Sequence, residues 1–229
     1  MDVFFISYKE PNCEVNWTQL QYYHPNAKRI HGIEGIDRVH LACDQLSTTE
    51  FFWTVDGDNW LEKKLSHSGE LDVDLIMFKA TDPIHRGPTL LGGVKLWRTG
   101  SIINGDMSRG DFSLNATASK RVDDEIFSTT NYNRSPYDTW KTAFRHCVKL
   151  MSVIFRNRPN ANNLDTYIAQ WASSENSKEM NARWAYRGYL DAINYVDLHD
   201  GDLPMLNKIN DYKWLAEHFK ELHGSSKES

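Results

Sequence analysis

The sequence predicts an α/β fold with a mainly parallel sheet and a helical C-terminal part. Through the first 80 residues, apolar runs typical of strands alternate with segments of helical spacing, which is the order of parallel strands joined by crossover helices. From Tyr137 onward the apolar residues recur at helical spacing instead. We therefore expect an α/β domain over 1–136, and a helical part over 137–229 that packs on it and completes the site.

The first part contains the elements of the expected sheet. Val15, Leu20 and Tyr23 can share one face of its first helix, which predicts the buried side of that helix. Residues 51–55 form a continuous apolar run, as strands buried on both faces do. The predicted strands cover 2–8, 27–32, 51–55 and 71–80, and the predicted helices cover 14–23 and 36–46.

Residues 81–136 are rich in Gly, Asn, Ser and Thr, and we expect this stretch to be mostly loop. A long helix is predicted over 137–155, followed by a break at 158–163. Gly201 and Pro204 should interrupt the helical part near its end. Its remaining predicted helices cover 164–174, 177–197 and 211–223.

Composition favours a folded protein in a reducing compartment. Apolar residues make up 40% of the chain and charged residues 25%, as in ordinary globular proteins. The three cysteines are far apart and form no zinc pattern, which predicts free thiols and a cytoplasmic location. No apolar run approaches the roughly 20 residues of a membrane span. Residues 1–8 are typical of a strand rather than a signal peptide.

Two carboxylates, Asp56 and Asp58, directly follow the apolar run at 51–55. Ligands bind beyond the carboxyl ends of strands in open α/β sheets. Gly57 between the two lets the backbone turn sharply, so both carboxylates can reach one hard cation such as Mn²⁺ or Mg²⁺. A phosphatase of the haloacid-dehalogenase type also has Asp-x-Asp after an apolar strand. That class has the motif on its first strand and Thr or Val where Trp60 stands here, so we rank it lower.

Several short motifs occur in a set order along most of the chain. They are Phe4 to Asn12, Ala27 to Gly32, Phe52 to Asp58, Gly92 to Leu96, Pro136 to Trp140, Phe144 to Leu150 and Ile209 to Tyr212. Their order resembles nucleotide-sugar transferases of the glycosyltransferase A fold, which is Rossmann-like, and in particular a group found in tailed phages and bacteria. Residues 81–83 and 132–136 depart from that group's usual Asn-Pro and Phe-Asn-Thr-Asp-Pro.

The resemblance implies a metal-dependent glycosyltransferase, a hexosyl- or pentosyltransferase, that uses a UDP-sugar donor. Glu10 and Asn12 in the loop after the first strand, and Arg29 and His31 at the end of the second, are candidate nucleotide contacts. The Asp56 carboxylate would contact the donor through the metal. Gly92, Gly93 and Lys95 are candidate contacts of the donor sugar. His199 is a candidate third metal ligand, because this fold often supplies a late His or Asp.

The helix predicted from Tyr137 has one polar and one apolar face. Asp138, Lys141, Thr142 and Arg145 share the polar face, while Trp140, Phe144, Cys147 and Val148 share the face expected in the core. Asp138 is the first candidate for a catalytic base that deprotonates the acceptor, and Arg145 can hold a phosphate or Asp138. Asp123, Asp124 and Glu125 are the competing candidates for the base.

The acceptor is the most open question. The phage-type resemblance implies 5-hydroxymethylcytosine in duplex DNA, with arabinose as the sugar and the host cytoplasm as the location. Residues 81–160 carry 12 Lys/Arg against seven Asp/Glu, a net +5 that includes Arg156 and Arg158, whereas the whole chain is −5. Trp97, Tyr132 and Tyr137 are candidates for a pocket around a flipped base. A glycan or protein acceptor, or a non-catalytic nucleotide-sugar-binding module, remain the alternatives.

Overall fold

The computed structural model describes residues 1–102, 111–157 and 164–224. The chain divides into two compact units. Within the described residues, the first unit contains 1–102 and 111–131, and the second contains 132–157 and 164–224. In the described part of the chain, no helix combines the length and the apolar character that crossing a membrane requires.

The first unit is built on one seven-stranded sheet in the order β2-β1-β3-β6-β5-β7-β4. The strands are β1 (Asp2–Ser7), β2 (Lys28–His31), β3 (Phe51–Asp56), β4 (Asn59–Leu61), β5 (Leu75–Thr81), β6 (Pro88–Arg98) and β7 (Lys120–Thr130). The pairings make β1, β2, β3, β5 and β7 run in one direction, and β4 and β6 in the other. The expected α/β fold with a mainly parallel sheet is therefore confirmed.

Both faces of the sheet centre are covered, which explains the continuous apolar runs in β1 and β3. Phe4 and Phe52 lie on the face that packs against helix α2 (Ile36–Leu46). Phe5 and Trp53 lie on the other face, with helix α1 (Cys13–Tyr23). The bounds of α2 agree with the predicted ones, and Val39, His40 and Cys43 form its buried side.

The predicted buried face of α1 is confirmed at Leu20 and was wrong at Val15. Val15 is 52% exposed, and the buried residues are Cys13, Asn16 and Leu20. The physical reason is a polar contact, because the Asn16 amide donates to the Gly57 carbonyl at 2.9 Å. A buried asparagine with a backbone partner is stable, and spacing of apolar residues alone does not reveal it.

The expectation of loops over 81–136 was also wrong. This stretch contains the whole of two 11-residue strands, β6 and β7, and the short helix α3 (Phe112–Asn115). The three-residue strand β4 was missed as well. The glycine pair of β6 and the charges of β7 lower intrinsic strand preference, yet β6 pairs with β3 and β5, and β7 with β5 and β4. Such pairing decides strand formation more than propensity does.

The second unit is helical, as predicted. Its helices are α4 (Pro136–Met151), α5 (Val153–Arg156), α6 (Leu164–Ala172), α7 (Ala182–His199), α8 (Leu203–Leu206) and α9 (Tyr212–His223), with 3₁₀ turns at Ser173–Asn176 and Asn207–Asn210. The helix expected over 137–155 is divided at Ser152, whose hydroxyl accepts from the Ile154 amide and so starts α5. The break expected at 158–163 lies outside the described residues.

The expected core face of α4 is confirmed, because Trp140, Phe144, Cys147 and Val148 are all fully buried. Helix α7 approaches α4 closely at Gly188, where a Cβ would lie 2.6 Å from the Trp140 carbonyl oxygen. The chain's three cysteines are buried free thiols, as the sequence predicts.

Candidate active site

The candidate site lies at the edge of the sheet where β1, β2, β3 and β5 end. Because these strands run in the same direction, their carboxyl ends meet at one edge, where α/β proteins bind ligands. Asp56 is the last residue of β3 and pairs with Ile6 of β1. The five residues before Asp56 are all buried, which confirms the predicted buried strand.

Asp56 forms an ion pair with Lys95. The Lys95 Nζ donates to Asp56 Oδ2 at 3.0 Å, and the two side chains are 7% and 27% exposed. The other carboxylate oxygen, Oδ1, is buried and has no hydrogen-bond partner among the described residues. Buried polar atoms are normally paired, so an unpaired carboxylate oxygen at a strand end is a candidate ligand atom.

Gly57 is held between β1 and the loop after it. A Cβ at this position would lie 2.8 Å from Glu10 Oε2 and 3.0 Å from the Ile6 carbonyl oxygen. Glu10 is fixed there because its Oε2 accepts from the Tyr8 amide at 2.7 Å. The structure thus places one predicted nucleotide contact, Glu10, directly against the Asp56-Gly57-Asp58 turn.

Asp58 is oriented by its neighbour Asn59, which sequence reasoning missed. The Asn59 amide donates to Asp58 Oδ1 at 2.8 Å, and the Asp58 carbonyl accepts from the Asn131 amide at 2.7 Å. The Asn59 side-chain oxygen accepts from the hydroxyls of Ser128 and Thr130 at 2.8 and 3.2 Å. Asn59 therefore connects the second carboxylate to the end of β7.

The Gly92-Gly93 pair lies in an irregular part of β6. Phe78 pairs with Val94 and Ala80 pairs with Thr89, so residues 90–93 face Lys79 alone and form a bulge. A Cβ on Gly93 would overlap the Asn59 amide. The close approach of Asn59 therefore requires glycine at position 93. This packing requirement explains the glycine whether or not Gly93 also contacts a ligand.

Helix α2 contributes a buried imidazole near the ion pair. The ring of His40 packs against Trp97 and Phe112, with ring centroids 5.1 and 5.0 Å away. Burial, and to a smaller extent the charge of Lys95, lowers the pKa of His40 from 6.5 to about 4, while the charge of Asp56 opposes this shift. The imidazole Nδ1 lies 2.7 Å from the Ile36 carbonyl oxygen. His40 is therefore neutral near pH 7.

Burial, together with the negative charge of Asp56, raises the pKa of the Cys43 thiol, on the next turn of α2, to about 12. The α2 side of the site consequently brings two neutral groups to the Asp56–Lys95 pair.

The other predicted nucleotide contacts already have partners within the protein. Asn12 is buried, and its amide nitrogen lies 3.3 Å from the Asn131 carbonyl oxygen. Arg29 makes a bidentate pair with Glu14, with distances of 2.8 and 2.6 Å, and also donates to the Ser7 hydroxyl. This hydrogen-bonded pair lowers the pKa of Glu14 and raises that of Arg29.

His31 lies at the same strand ends, with its Nδ1 2.9 Å from the Ser7 hydroxyl. It is exposed, unlike Asn12. His31, the last residue of β2, therefore presents its imidazole to solvent next to the Ser7 hydroxyl.

The loop after β5 contains an acid–histidine pair that sequence reasoning did not select. Asp82 is buried and accepts from the backbone amides of Ile84 and His85, and its Oδ1 lies 3.1 Å from His85 Nδ1. These bonds close the turn between β5 and β6. The only signal in the sequence was Asp82-Pro83, which we treated as a departure from a motif.

The acidic cluster at 123–125 lies at an irregular point of β7. Asp124 pairs with Lys79 at 2.7 Å, and Glu125 pairs with Lys63 at 2.9 Å. Two residues of β7, 124 and 125, are bypassed between the pairings of Phe78 and Lys79 on β5. Asp124 is the most exposed of these carboxylates.

Asp138 and Arg145 belong to the second unit. Ser135 caps α4, because its hydroxyl accepts from the Asp138 backbone amide at 3.0 Å. The same hydroxyl donates to Asp138 Oδ2 at 2.8 Å, and Lys141 donates to Asp138 Oδ1 at 3.0 Å. Arg145 donates to the Ile209 carbonyl, the Asn210 side chain and the Tyr212 hydroxyl at 2.7, 3.3 and 3.1 Å. Both side chains thus have structural partners, and their catalytic roles stay predictions.

His199 also lies in the second unit, at the end of α7, where its ring packs edge-on against Tyr195 at 4.7 Å. Within the described ranges, no three side chains of His, Cys, Asp or Glu are grouped so that they could hold a metal ion. The metal set of Asp56, Asp58 and His199 stays a prediction.

Comparison with known proteins gives distant structural likenesses. No protein-family model matches the chain, and no curated protein matches it. The chain is similar to a mannosyltransferase from Pyrobaculum calidifontis in complex with GDP-Man and Mn²⁺, with 9% identity, a TM-score of 0.40, and coverage of 98% of this chain and 88% of that one. It is similar to S. aureus TarS 1–349, with 14% identity, a TM-score of 0.37, and coverage of 97% and 92%.

A third similar structure is a glycosyltransferase involved in the glycosylation of the major capsid of PBCV-1, with 11% identity and a TM-score of 0.35. The match covers 54% of this chain and 82% of that one. Identities and TM-scores of this size are too low to assign an activity, which has to come from the chain's own residues.

Proposed function

We propose that this chain is a metal-dependent glycosyltransferase that moves a sugar from a nucleoside-diphosphate donor to an acceptor hydroxyl. One observation carries the proposal: Asp56 ends a buried strand at the ligand-binding edge of the sheet, with one carboxylate oxygen buried and unpaired among the described residues. The order of motifs that resembles nucleotide-sugar transferases of the glycosyltransferase A fold supports the same activity.

The residues fit a divalent cation that the donor helps to bind. Mg²⁺ commonly uses one or two protein carboxylates and completes its shell with substrate phosphates and water, so a cluster of three protein ligands is not needed. Asp56 and Asp58 would hold Mn²⁺ or Mg²⁺, with His199 as the proposed additional ligand. The cation would neutralise the charge that develops on the diphosphate leaving group.

The donor would lie along the carboxyl ends of β1, β2 and β3. Glu10, fixed against Gly57, can accept hydrogen bonds from ribose hydroxyls. His31 is exposed at the end of β2. Arg29 and the amide nitrogen of Asn12 would have to exchange their present partners for the nucleotide, whereas the Asn12 side-chain oxygen has no partner among the described residues. We propose a UDP-sugar as the donor.

Lys95 is the cation of the first unit best placed to meet the donor phosphates, because its ammonium already lies at Asp56. The bulge at residues 90–93 would bring the backbone of Gly92 and Gly93 to the sugar.

Deprotonation of the acceptor is assigned to Asp138, with Arg145 as the proposed cation that holds a phosphate or Asp138. Asp138 accepts hydrogen bonds from Ser135 and Lys141, so it is held in one orientation at the start of α4. A carboxylate serves as a base only if the acceptor hydroxyl reaches one of its oxygens. The competing candidates are Asp123, Asp124 and Glu125.

We propose hydroxymethylcytosine in duplex DNA as the acceptor and arabinose as the sugar. The support is the phage-type order of motifs and the +5 charge of residues 81–160. Within that stretch Arg156 is exposed at the end of α5, while Arg158 lies outside the described residues. A glycan or protein acceptor uses the same donor site, and a binding module would use it without transfer.

The test of the activity is sugar transfer from a panel of UDP-sugars, followed by mass spectrometry of nucleosides from hydroxymethylated DNA. Chelator should stop turnover and added Mn²⁺ should restore it. Asp58→Ala should lose several kcal/mol of transition-state stabilisation, whereas the exposed Glu50→Ala is the matched control and should lose none. Full turnover in excess chelator would contradict the metal assignment.

The same panel separates the acceptors. Transfer to hydroxymethylated DNA that weakens steeply with salt supports a DNA acceptor, because phosphate contacts release counterions. Transfer only to glycans or proteins would remove the DNA assignment and keep the transferase. Donor binding without transfer or donor hydrolysis would identify a binding module.

A further inference from the structure

We propose that Lys95 is a competing cation that occupies Asp56 until a nucleoside diphosphate arrives, so that the metal binds well only together with the donor. The inference rests on the proposed function and concerns the order of events at the same site. Metal binding would then depend on Lys95, because this lysine forms an ion pair with Asp56, the carboxylate proposed to bind the metal.

The sheet register fixes Lys95 at this place. Lys95 of β6 pairs with Thr54 of β3, two residues before Asp56. Side chains two residues apart in a strand share a face, so Thr54 and Asp56 lie on the same face. The Trp97 indole donates to the Thr54 hydroxyl at 2.9 Å, which places Trp97, and therefore Lys95, on that face too. The sheet therefore fixes the Lys95 backbone beside the end of β3, from which its side chain reaches Asp56.

Because the Lys95 side chain is buried, breaking its ion pair with Asp56 is costly. Lys95 is only 7% exposed, and Asp56 is the carboxylate with which it pairs among the described residues. A buried ammonium needs a counter-charge, because leaving it unpaired is strongly unfavourable. The α2 groups near the pair, a neutral imidazole at His40 and a neutral thiol at Cys43, supply none.

A divalent cation at Asp56 would therefore face two costs. It would lie close to the Lys95 ammonium, and like charges repel strongly where solvent is largely excluded. It would also take the carboxylate from Lys95 and leave that ammonium unpaired. Both costs vanish if a phosphate of the donor reaches Lys95 at the same time, because the phosphate becomes the lysine's new counter-charge.

The coupling has to be reciprocal. If the donor raises the affinity for metal by releasing Asp56 from Lys95, the metal raises the affinity for donor by the same factor. In this exchange Oδ2 of Asp56 changes partner from Lys95 to the metal, while the buried Oδ1, which has no partner among the described residues, has none to lose. Lys95 would thus protect the site from metal ions in the absence of donor.

The proposal predicts an unusual sign for one substitution. Lys95→Met keeps an unbranched apolar stem and removes the charge, so Mn²⁺ without nucleotide should bind roughly tenfold more tightly, or more, than to the unchanged protein. Binding of UDP should weaken in the same variant. Lys63→Met is the matched control, because Lys63 pairs with Glu125 on the surface, and it should change neither affinity. Free and bound Mn²⁺ are measured by electron paramagnetic resonance.

A second measurement does not depend on that variant folding. In the unchanged protein with ¹⁵N-labelled lysine side chains, the Nζ resonance of Lys95 is assigned through Lys95→Arg. Mg²⁺ alone should leave this resonance in place, and Mg²⁺ with UDP should shift it. A shift with Mg²⁺ alone, or an unchanged or lower Mn²⁺ affinity in folded Lys95→Met, would overturn the proposal.

The two proposals fail in different ways. If Lys95→Met binds Mn²⁺ more tightly but the unchanged protein transfers no sugar, the role of Lys95 as a competing cation is supported and the transferase proposal is contradicted. If the unchanged protein transfers sugar but Lys95→Met leaves the Mn²⁺ affinity unchanged, the transferase proposal is supported and the role of Lys95 as a competing cation is contradicted.

Discussion

Mild acid should destabilise the first unit through His40. The ring is fully buried between Trp97 and Phe112, and burial lowers its pKa from the ordinary 6.5 to about 4. Lowering the pH from 7 toward 4 therefore adds a proton to this side chain in the unfolded chain while the folded protein still holds it neutral. The perturbation is local, because His40→Phe removes the titrating group and keeps an aromatic ring at the site.

The sign and size follow from proton linkage. Where the unfolded state binds more protons than the folded state, stability falls as the pH falls. For His40 this window runs from 6.5 down to about 4, and the effect is constant below it. Each pKa unit corresponds to about 1.4 kcal/mol. The free energy of unfolding should therefore fall by about 2 kcal/mol at pH 5 and by about 3 kcal/mol at pH 4 because of His40.

Urea unfolding followed by tryptophan fluorescence at pH 7, 6, 5 and 4 measures the effect. Other groups also titrate in this range, so the informative quantity is the difference between the unchanged protein and His40→Phe. That difference should change by about 3 kcal/mol between pH 7 and pH 4. Phe112→Leu is the control: it disturbs the same packing, lowers stability at every pH, and keeps the pH dependence. An equal pH dependence in all three proteins would refute the reasoning.

Two further predictions concern glycines that touch other groups. Gly93→Ala should destabilise the first unit by about 1–3 kcal/mol, because its Cβ would overlap the Asn59 amide. Gly87→Ala is the control and should be nearly neutral, since the nearest atom to its Cβ is 3.9 Å away. Thermal unfolding of both variants measures the difference, and equal melting temperatures would contradict the prediction. Gly188→Ala should destabilise the second unit by a similar amount, because its Cβ would lie 2.6 Å from the Trp140 carbonyl oxygen; near-ultraviolet circular dichroism checks it, and an unchanged transition would contradict it.

The sequence predicts the centre of the sheet well for a physical reason. Strands β1 and β3 are buried on both faces, so four of the six residues in each are apolar and the signal is local. Helix α2 is amphipathic, and its bounds follow from the same kind of local pattern. Asp56 at the end of β3 could be placed at the ligand edge because strand direction follows from the α/β order.

The remaining strands depend on pairing between distant residues. The charges of β7 are balanced by Lys63 and Lys79, which lie far away in sequence. The bulge at residues 90–93 arises from the register between β5 and β6. Asn59 is essential to this arrangement, yet its role is visible only once β7 is known to lie beside β4. No local pattern in these segments contains that information.

The site shows the same division between local and long-range information. The pair of carboxylates around Gly57 is evident in the sequence, because two acids directly follow a buried strand. The contact of Lys95 with Asp56 is not evident, since it depends on the antiparallel register of β3 and β6. Sequence reasoning selected Lys95 as a contact of the donor sugar. In the structure Lys95 pairs with Asp56, so a cation that binds Asp56 has to share this carboxylate with Lys95.

The polar face of α4 shows how one spacing pattern can serve two purposes. Asp138 and Arg145 were selected because acids and cations on one helix face can form a site, but each now has partners that stabilise the second unit. A capping acid gains its effect by keeping its oxygens on the helix start, whereas a general base needs an oxygen at the acceptor hydroxyl. Each oxygen of Asp138 accepts one of these two side-chain bonds and has a second lone pair, so an acceptor hydroxyl would share an oxygen with Lys141 or Ser135 or displace one of them. Arg145 is bound more firmly, because leaving its three acceptors would also release the Ile209 carbonyl, and this favours a positioning role for the arginine.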